Sequence, residues 1–323
     1  MSLMDKKIFV KDITEDRAII NDCFVVVKKG TYTTKNNSKY MNISLRDKTG
    51  IVEAKIWERV DELNGLFDKN DIVSVKSRTR LYQEKLQLNI TDIRKVDEEL
   101  SFEFIRQFYP EGETRNDTLR EEYTRITGEL KKPQIRSLFS VLNEKRDMME
   151  KYFFYPASIG IHHVYVGGLF EHSLSMARMA EHVVNIIGGD LDITIAGCLL
   201  HDIGKIEEID VRKGFKYTDR GRLLGHITLG IMLFEELISE VKDFPGHMAD
   251  ALSHIILSHH GVEEWGSPKK PMFTEALIVH YLDNLDAKVM GVREHMKDNM
   301  EDERWSEYHR LYESKFYRIP EGQ

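Results

Sequence analysis

The sequence predicts a multidomain chain of the β + α class, a five-stranded β-barrel followed by an all-α helical bundle. Three observations predict it. Period-two alternation of apolar and polar residues is confined to residues 1–95. Helical spacing of apolar residues takes over from Thr118 and runs to the end. Between them, residues 96–130 are charged and poor in aliphatics, with Pro110-Glu111-Gly112-Glu113 as a turn-rich break. The expected division is therefore a barrel over 1–95, a linker or helical connector over 96–130 and a helical domain over 131–323. A chain of 323 residues is long enough for two such cores.

Cys23 to Lys29 read as a buried strand, and Gly30 to Lys39 as a polar turn-rich link. Tyr40 to Arg46 alternates and predicts a half-buried strand, closed by the turn Asp47-Lys48-Thr49-Gly50. In Ile51 to Trp57, Ile51, Glu53, Lys55 and Trp57 fall on one side and Val52, Ala54 and Ile56 on the other. Residues 58–68 place Val60, Leu63, Leu66 and Phe67 at helical spacing. Asp71 to Val75 and Leu86 to Ile93 complete the set, with Tyr82 to Lys85 turning between them. Three strands, a helix and two strands are the order of an OB-fold barrel. That fold holds single strands with a basic groove and aromatic platforms. The candidates are Lys28, Lys35, Lys39, Arg46, Arg78, Arg80 and Lys85 for phosphate, and Tyr32, Tyr40, Trp57 and Tyr82 for stacking. Core packing is the competing reading for Trp57, and a structural platform the competing reading for the domain.

Further on, Pro133 suits a helix start, with Ile135, Leu138, Phe139 and Leu142 as its apolar face. Tyr155-Pro156-Ala157 breaks that run. Helical patterns then cover 172–187, 191–203, 222–240, 246–259 and 273–290. No repeat or low-complexity segment interrupts them.

Charge is uneven along the chain. Residues 1–95 hold 19 Lys+Arg against 14 Asp+Glu, while the remainder holds 27 against 40. A basic barrel on an acidic partner suits a polyanion such as nucleic acid at the first. No apolar run approaches the roughly 20 residues needed to span a bilayer, so no membrane partner is expected. Cys23 and Cys198 are the only cysteines. They fit a reducing, cytoplasmic setting and exclude a disulfide framework or a cysteine-rich zinc site.

The chemistry is concentrated around Leu199-Leu200-His201-Asp202-Ile203-Gly204-Lys205. An adjacent His-Asp pair offers a neutral nitrogen and an anionic oxygen able to bridge two cations. Upstream lies Gly167-Gly168-Leu169-Phe170-Glu171-His172-Ser173. Downstream lie Gly225-His226, Ser258-His259-His260-Gly261 and Tyr281-Leu282-Asp283-Asn284-Leu285-Asp286. The order His, His-Asp, His, His-His, Asp spans about 110 residues and falls on separate helices, as in metal-binding bundles. No Ser-His-Asp order, Walker loop or dinucleotide glycine motif competes with it.

In these segments the sequence resembles the HD-domain metal-dependent phosphohydrolases. Over nearly its whole length it is most similar to the YhaM family of bacterial 3′→5′ exoribonucleases, which join an N-terminal OB domain to an HD domain. The resemblance implies that His172, His201, Asp202 and Asp283 hold one metal. Asp202 would bridge to a second, completed by His226, His259 and His260. Asp286 lies one turn from Asp283, so only one of the two can point inward with the same geometry, and the pattern Ile278, Leu282, Leu285, Val289 predicts the buried stripe that Asp283 flanks. His254 is an alternative ligand, and either His259 or His260 alone would serve as the third ligand of the second metal. His162-His163 suit substrate contact or capping.

Two cations can lower the pKa of a water and clamp both oxygens of an in-line phosphoryl displacement. Lys205, three residues past His201-Asp202 in the same motif, would neutralise a phosphate oxygen in the transition state; a salt bridge to Glu207 or Glu208 is the rival reading. Asp202 and Lys205 are thus the catalytic candidates. Imidazoles with carboxylates favour manganese, iron, cobalt or zinc over magnesium, and the resemblance favours manganese. The function implied is hydrolysis of single-stranded RNA, with single-stranded DNA as a further candidate, to nucleoside 5′-monophosphates. The rivals are a nucleotide or cyclic-nucleotide phosphohydrolase and a non-catalytic nucleic-acid-binding protein.

Overall fold

The computed structural model describes residues 6–110, 112, 116–159, 165–212 and 214–320; His162 and His163 lie outside these residues. The first unit is built from β1 (Ile19–Thr33), β2 (Lys39–Asp47), β3 (Gly50–Ile56), α1 (Val60–Leu63), β4 (Ile72–Tyr82) and β5 (Lys85–Lys95). The strands close into a barrel in the order β1-β2-β3-β5-β4. All pairings are antiparallel except β3 with β5, where Ala54 faces Leu88. The length of β1 lets it pair with both β2 and β4, and a bulge between Val26 and Lys28 bends it from one partner to the other. Inward residues such as Phe24, Met41, Ile43, Leu45, Val75 and Leu88 fill the interior. This is the OB-type barrel, and its strand order places it in that class.

The alternation in β3 holds: Val52, Ala54 and Ile56 are buried, while Ile51 and Glu53 face outward. The helix after it is shorter than the spacing suggests. Only Val60–Leu63 is helical, because Val60, Leu63 and Phe67 are enough to plug the barrel end and Leu66 is left exposed.

The helical unit carries α3 (Asn116–Gly128), after the single turn α2 (Phe102–Ile105). It continues through α4 (Pro133–Glu144), α5 (Arg146–Phe154), α6 (Gly168–Ile187), α7 (Leu191–Leu200) and α8 (Lys205–Glu208). A hairpin follows, β6 (Ile209–Asp210) and β7 (Lys216–Tyr217), and then α9 (Asp219–Ser239), α10 (Gly246–Ser258) and α11 (Thr274–Asp298). Helix α7 is the axis of this unit. Asp190 caps it by accepting from the Ile193 N–H, and every residue from Asp192 to Leu200 is buried. Helices α6, α10 and α11 pack around it.

The chain divides into two compact units, Met1–Glu111 with Ile209–Thr218, and Gly112–Glu208 with Asp219–Gln323. This differs from the sequence division in two respects. Residues 96–110 belong with the barrel, where Phe104, Ile105, Phe108 and Tyr109 are buried. The hairpin, which helical periodicity gave no sign of, belongs there too. Phe215 stacks on Tyr109 with centroids 3.7 Å apart, and Lys216 pairs with Asp71. No helix among the described residues is long and apolar enough to cross a membrane.

Candidate metal centre and nucleic-acid surface

The end of α7 delivers His201 and Asp202 as a buried turn. Gly204 follows because a side chain there would run into the His226 carbonyl oxygen. His172 comes from the first turns of α6, His259 from the end of α10 and His260 from the residue beyond it. His226 owes its place to a break in α9. Gly225 has φ 71° and ψ 157°, a left-handed φ that favours glycine. The helix restarts at His226, whose N–H is left without an intrahelical acceptor and donates to Glu208 Oε1 at 3.0 Å.

Two groups of ligand atoms result, His172–His201–Asp283 and His226–His259–His260, each with its atoms within 4.8 Å of one another. Asp202 stands between them. Its Oδ2 lies 3.4 Å from His201 Nε2, and its Oδ1 lies 3.4 Å from His226 Nε2 and 3.6 Å from His259 Nε2. The structure therefore brings all seven metal candidates together. His254 belongs to neither group; its Nε2 accepts from the Met272 N–H.

The imidazoles are held by their other nitrogens. His201, His259 and His260 place Nδ1 against the carbonyls of Cys198, Ile256 and Trp265 at 2.9, 2.8 and 2.6 Å. A carbonyl only accepts, so each Nδ1 carries a proton and Nε2 is the nitrogen that faces the centre. His172 Nδ1 meets Asp286 at 2.7 Å, and Ser175 donates to the other oxygen of the same carboxylate. The sequence reading placed only one of Asp283 and Asp286 inward. Both face inward, in different roles, Asp283 toward the ligand atoms and Asp286 behind His172. The buried face of α11 runs through Val279 and Asp286, whereas Leu285 and Val289, expected in the stripe, are exposed. The i,i+3 spacing of the two aspartates was the available signal. Glu208, which accepts from both N and Nδ1 of His226, carried none.

His201 Nε2, Asp202 Oδ1, His226 Nε2 and His259 Nε2 are buried and lack hydrogen-bond partners. Such atoms are costly to bury unless something satisfies them. A borderline cation does so, and the donor set of imidazole and carboxylate fits one. The electrostatics agree. Burial would raise Asp202, but Lys205 and His201 hold its carboxyl well below the usual range. Burial would lower His172, but Asp283 and Asp286 override it and raise it to about 9. The same carboxylates attract a cation in place of that proton. Burial, with His201 next, keeps His259 neutral. Lys205 pairs with Asp202 Oδ2 rather than with Glu207 or Glu208. Despite burial, Asp202 keeps it an ammonium.

On the barrel, Tyr32, Tyr40 and Trp57 form a row. Tyr32 and Tyr40 lie 5.7 Å apart, and Tyr40 and Trp57 stack at 5.0 Å and 22°. Trp57 is 47% exposed, so the core reading for it fails. Lys55, which was not singled out, sits 5.3–5.7 Å from the rings of Tyr40, Trp57 and Tyr82. Its alternation with Trp57 on one strand side was the available signal. Beside it is a cleft of about 600 Å³ lined by Asn42, Lys55, Tyr82, Lys85 and Gln87, among others. Lys28 and Lys35 are exposed on β1 and in the loop after it. Arg78 and Arg80 point outward along β4, four and two residues short of Tyr82. Lys39 pairs with Asp61 at 2.7 Å. Arg46 is half-buried, within electrostatic reach of the Tyr109 hydroxyl rather than in the aromatic row.

Known proteins match both units. Residues 169–288 fit the HD domain family, and residues 25–96 the OB-fold nucleic acid binding domain family. The 3′-5′ exoribonuclease YhaM of Geobacillus sp. (strain WCH70) is 34% identical over 270 residues, 83% of this chain and 82% of that one. The YhaM protein of Bacillus subtilis (strain 168) is 33% identical over 270 residues, 83% of this chain and 85% of that one. The chain belongs to the YhaM family. As a YhaM-family protein it is an HD-type nuclease, a divalent-metal-dependent hydrolase of phosphodiester bonds. Among solved structures, the second OB-fold domain of replication protein A from Methanococcus maripaludis is similar. It is 19% identical, covers 27% of this chain and 91% of that one, and has a TM-score of 0.22. The barrel assignment rests instead on its own strand order.

Proposed function

We propose that this YhaM-family chain is a 3′→5′ exoribonuclease that shortens single-stranded RNA to nucleoside 5′-monophosphates, using two divalent cations, with manganese preferred. The observation that carries the reading is the division of Asp202, one oxygen toward His201 and the other toward His226 and His259. A carboxylate so placed would serve two cations at once. His172, His201 and Asp283 would hold one, and His226, His259 and His260 the other. When bound, the cations supply Lewis acidity and a water of lowered pKa.

The chain's own residues do the rest. The carbonyl-bound Nδ1 atoms fix the rings, so no reorganisation is needed when substrate arrives. Lys205 holds a positive charge beside Asp202, where it can neutralise a non-bridging phosphate oxygen. Tyr32, Tyr40, Trp57 and Tyr82 would stack successive bases, and Lys55, Lys85, Lys35, Lys28, Arg78 and Arg80 would follow the backbone. Polarity and the choice of RNA rest on the family relatives, whose names state both. The two buried free cysteines support a reducing, cytoplasmic setting.

The test is a time course on 5′-labelled single-stranded RNA with manganese, beside Asp202→Asn. A ladder shortening from the 3′ end, absent in the variant while RNA binding persists, is the expected result. Intact RNA with rapid cleavage of mononucleotide esters would move the assignment to a small-substrate phosphohydrolase.

A further inference from the structure

Glu208 is the last residue of α8 and the last before the chain leaves the helical unit for the hairpin β6–β7. Its Oε1 accepts from the His226 N–H at 3.0 Å and faces His226 Nδ1 at 3.3 Å. A single carboxylate oxygen thus holds both the backbone at the α9 restart and the ring that turns Nε2 toward Asp202. The other imidazoles of the second group are held by backbone carbonyls of their own neighbourhood. His226 alone in that group depends on a side chain.

We propose that Glu208 is a positioning residue for His226. The proposal rests on the two-cation reading above. It predicts an asymmetry that the reading alone does not, because only the His226–His259–His260 site should depend on Glu208.

The experiment is calorimetric titration of manganese into the chelator-treated full-length chain, with thermal melts as the folding control. Loss of a hydrogen bond that orients a ligating histidine weakens metal binding by roughly 10- to 100-fold. Glu208→Ala should weaken one class of manganese site by that factor and leave the other unchanged. Glu208→Gln, which keeps an accepting oxygen, should recover most of the loss. Equal weakening of both classes, or none, in Glu208→Ala would overturn the positioning role. Where Glu208→Ala does not fold, Glu208→Met, which keeps the length of the side chain and removes both oxygens, takes its place, and the same two outcomes overturn the role. A wild-type chain that binds no manganese would overturn the two-cation reading itself, and the inference with it.

Discussion

Replacing Trp57 with alanine separates the nucleic-acid surface from the fold that carries it. Trp57 is 47% exposed and stacks on Tyr40 at 5.0 Å, at the outer end of β3. The folded protein loses one aromatic pair, worth about 0.5–1.5 kcal/mol, and no core residue. If a base stacks there, binding loses about 1–3 kcal/mol. That corresponds to a Kd raised roughly 5- to 150-fold. The assay is fluorescence anisotropy with 5′-labelled single-stranded RNA in EDTA, so that nothing is cleaved, repeated at several salt concentrations. Trp57→Ala should shift affinity at every salt without changing the slope, because it removes no charge. Lys55→Ala should flatten the slope by about 0.7, the value for one phosphate contact on a single strand. Wild-type affinity in a folded Trp57→Ala protein would refute the stacking argument. So would a slope change in Trp57→Ala equal to that in Lys55→Ala.

Three further outcomes are expected. Manganese should stabilise the protein by about 2.7 kcal/mol per site at a hundred times that site's Kd, read as a rise in Tm that EDTA reverses and Asp202→Asn diminishes. Gly204→Ala should destabilise by about 1–3 kcal/mol in chemical denaturation, because the new methyl meets the His226 carbonyl; unchanged stability would show that α9 yields easily. Asp71 is buried, which raises a carboxyl, but Lys216, the Asp68 N–H and Lys95 override that and hold it low. Its contribution is therefore present above the ordinary carboxylate range and lost as pH falls through the depressed value. The stability gap between wild type and Asp71→Asn should be full at neutral pH and close below about pH 4; a gap constant down to pH 2 would contradict the pairing.

Local pattern was enough for much of this protein. Period-two alternation in β2 and β3 identified the strands and which side of each is buried, because a pleated strand has only two faces. The spacing of apolar residues identified the helices, and the wholly apolar 191–200 marked the one buried on every side. The candidate ligands were legible because each stands in a short motif of unusual composition. Gly204 and Gly225 were visible in those motifs as well, although the close approach and the left-handed φ that require them were not.

What the tertiary structure alone decided are relations across distance. Periodicity sets a face but not what meets it, so whether Trp57 packs inside or stacks outside depends on where the barrel closes. On α11 the inward face is set by α6 and α7 packing against it, which brings in Asp286 and leaves Leu285 and Val289 outside. Glu208 shows no local signal because its role exists only once a break at Gly225 exposes the His226 N–H. The hairpin's place in the barrel unit is of the same kind, since ten residues between two helices carry no information about a tyrosine a hundred positions earlier. The sequence by itself determined which residues are candidate ligands and which helices carry them. Only the folded chain decided that the two oxygens of Asp202 point to different histidines, because that depends on several helices meeting at one buried point.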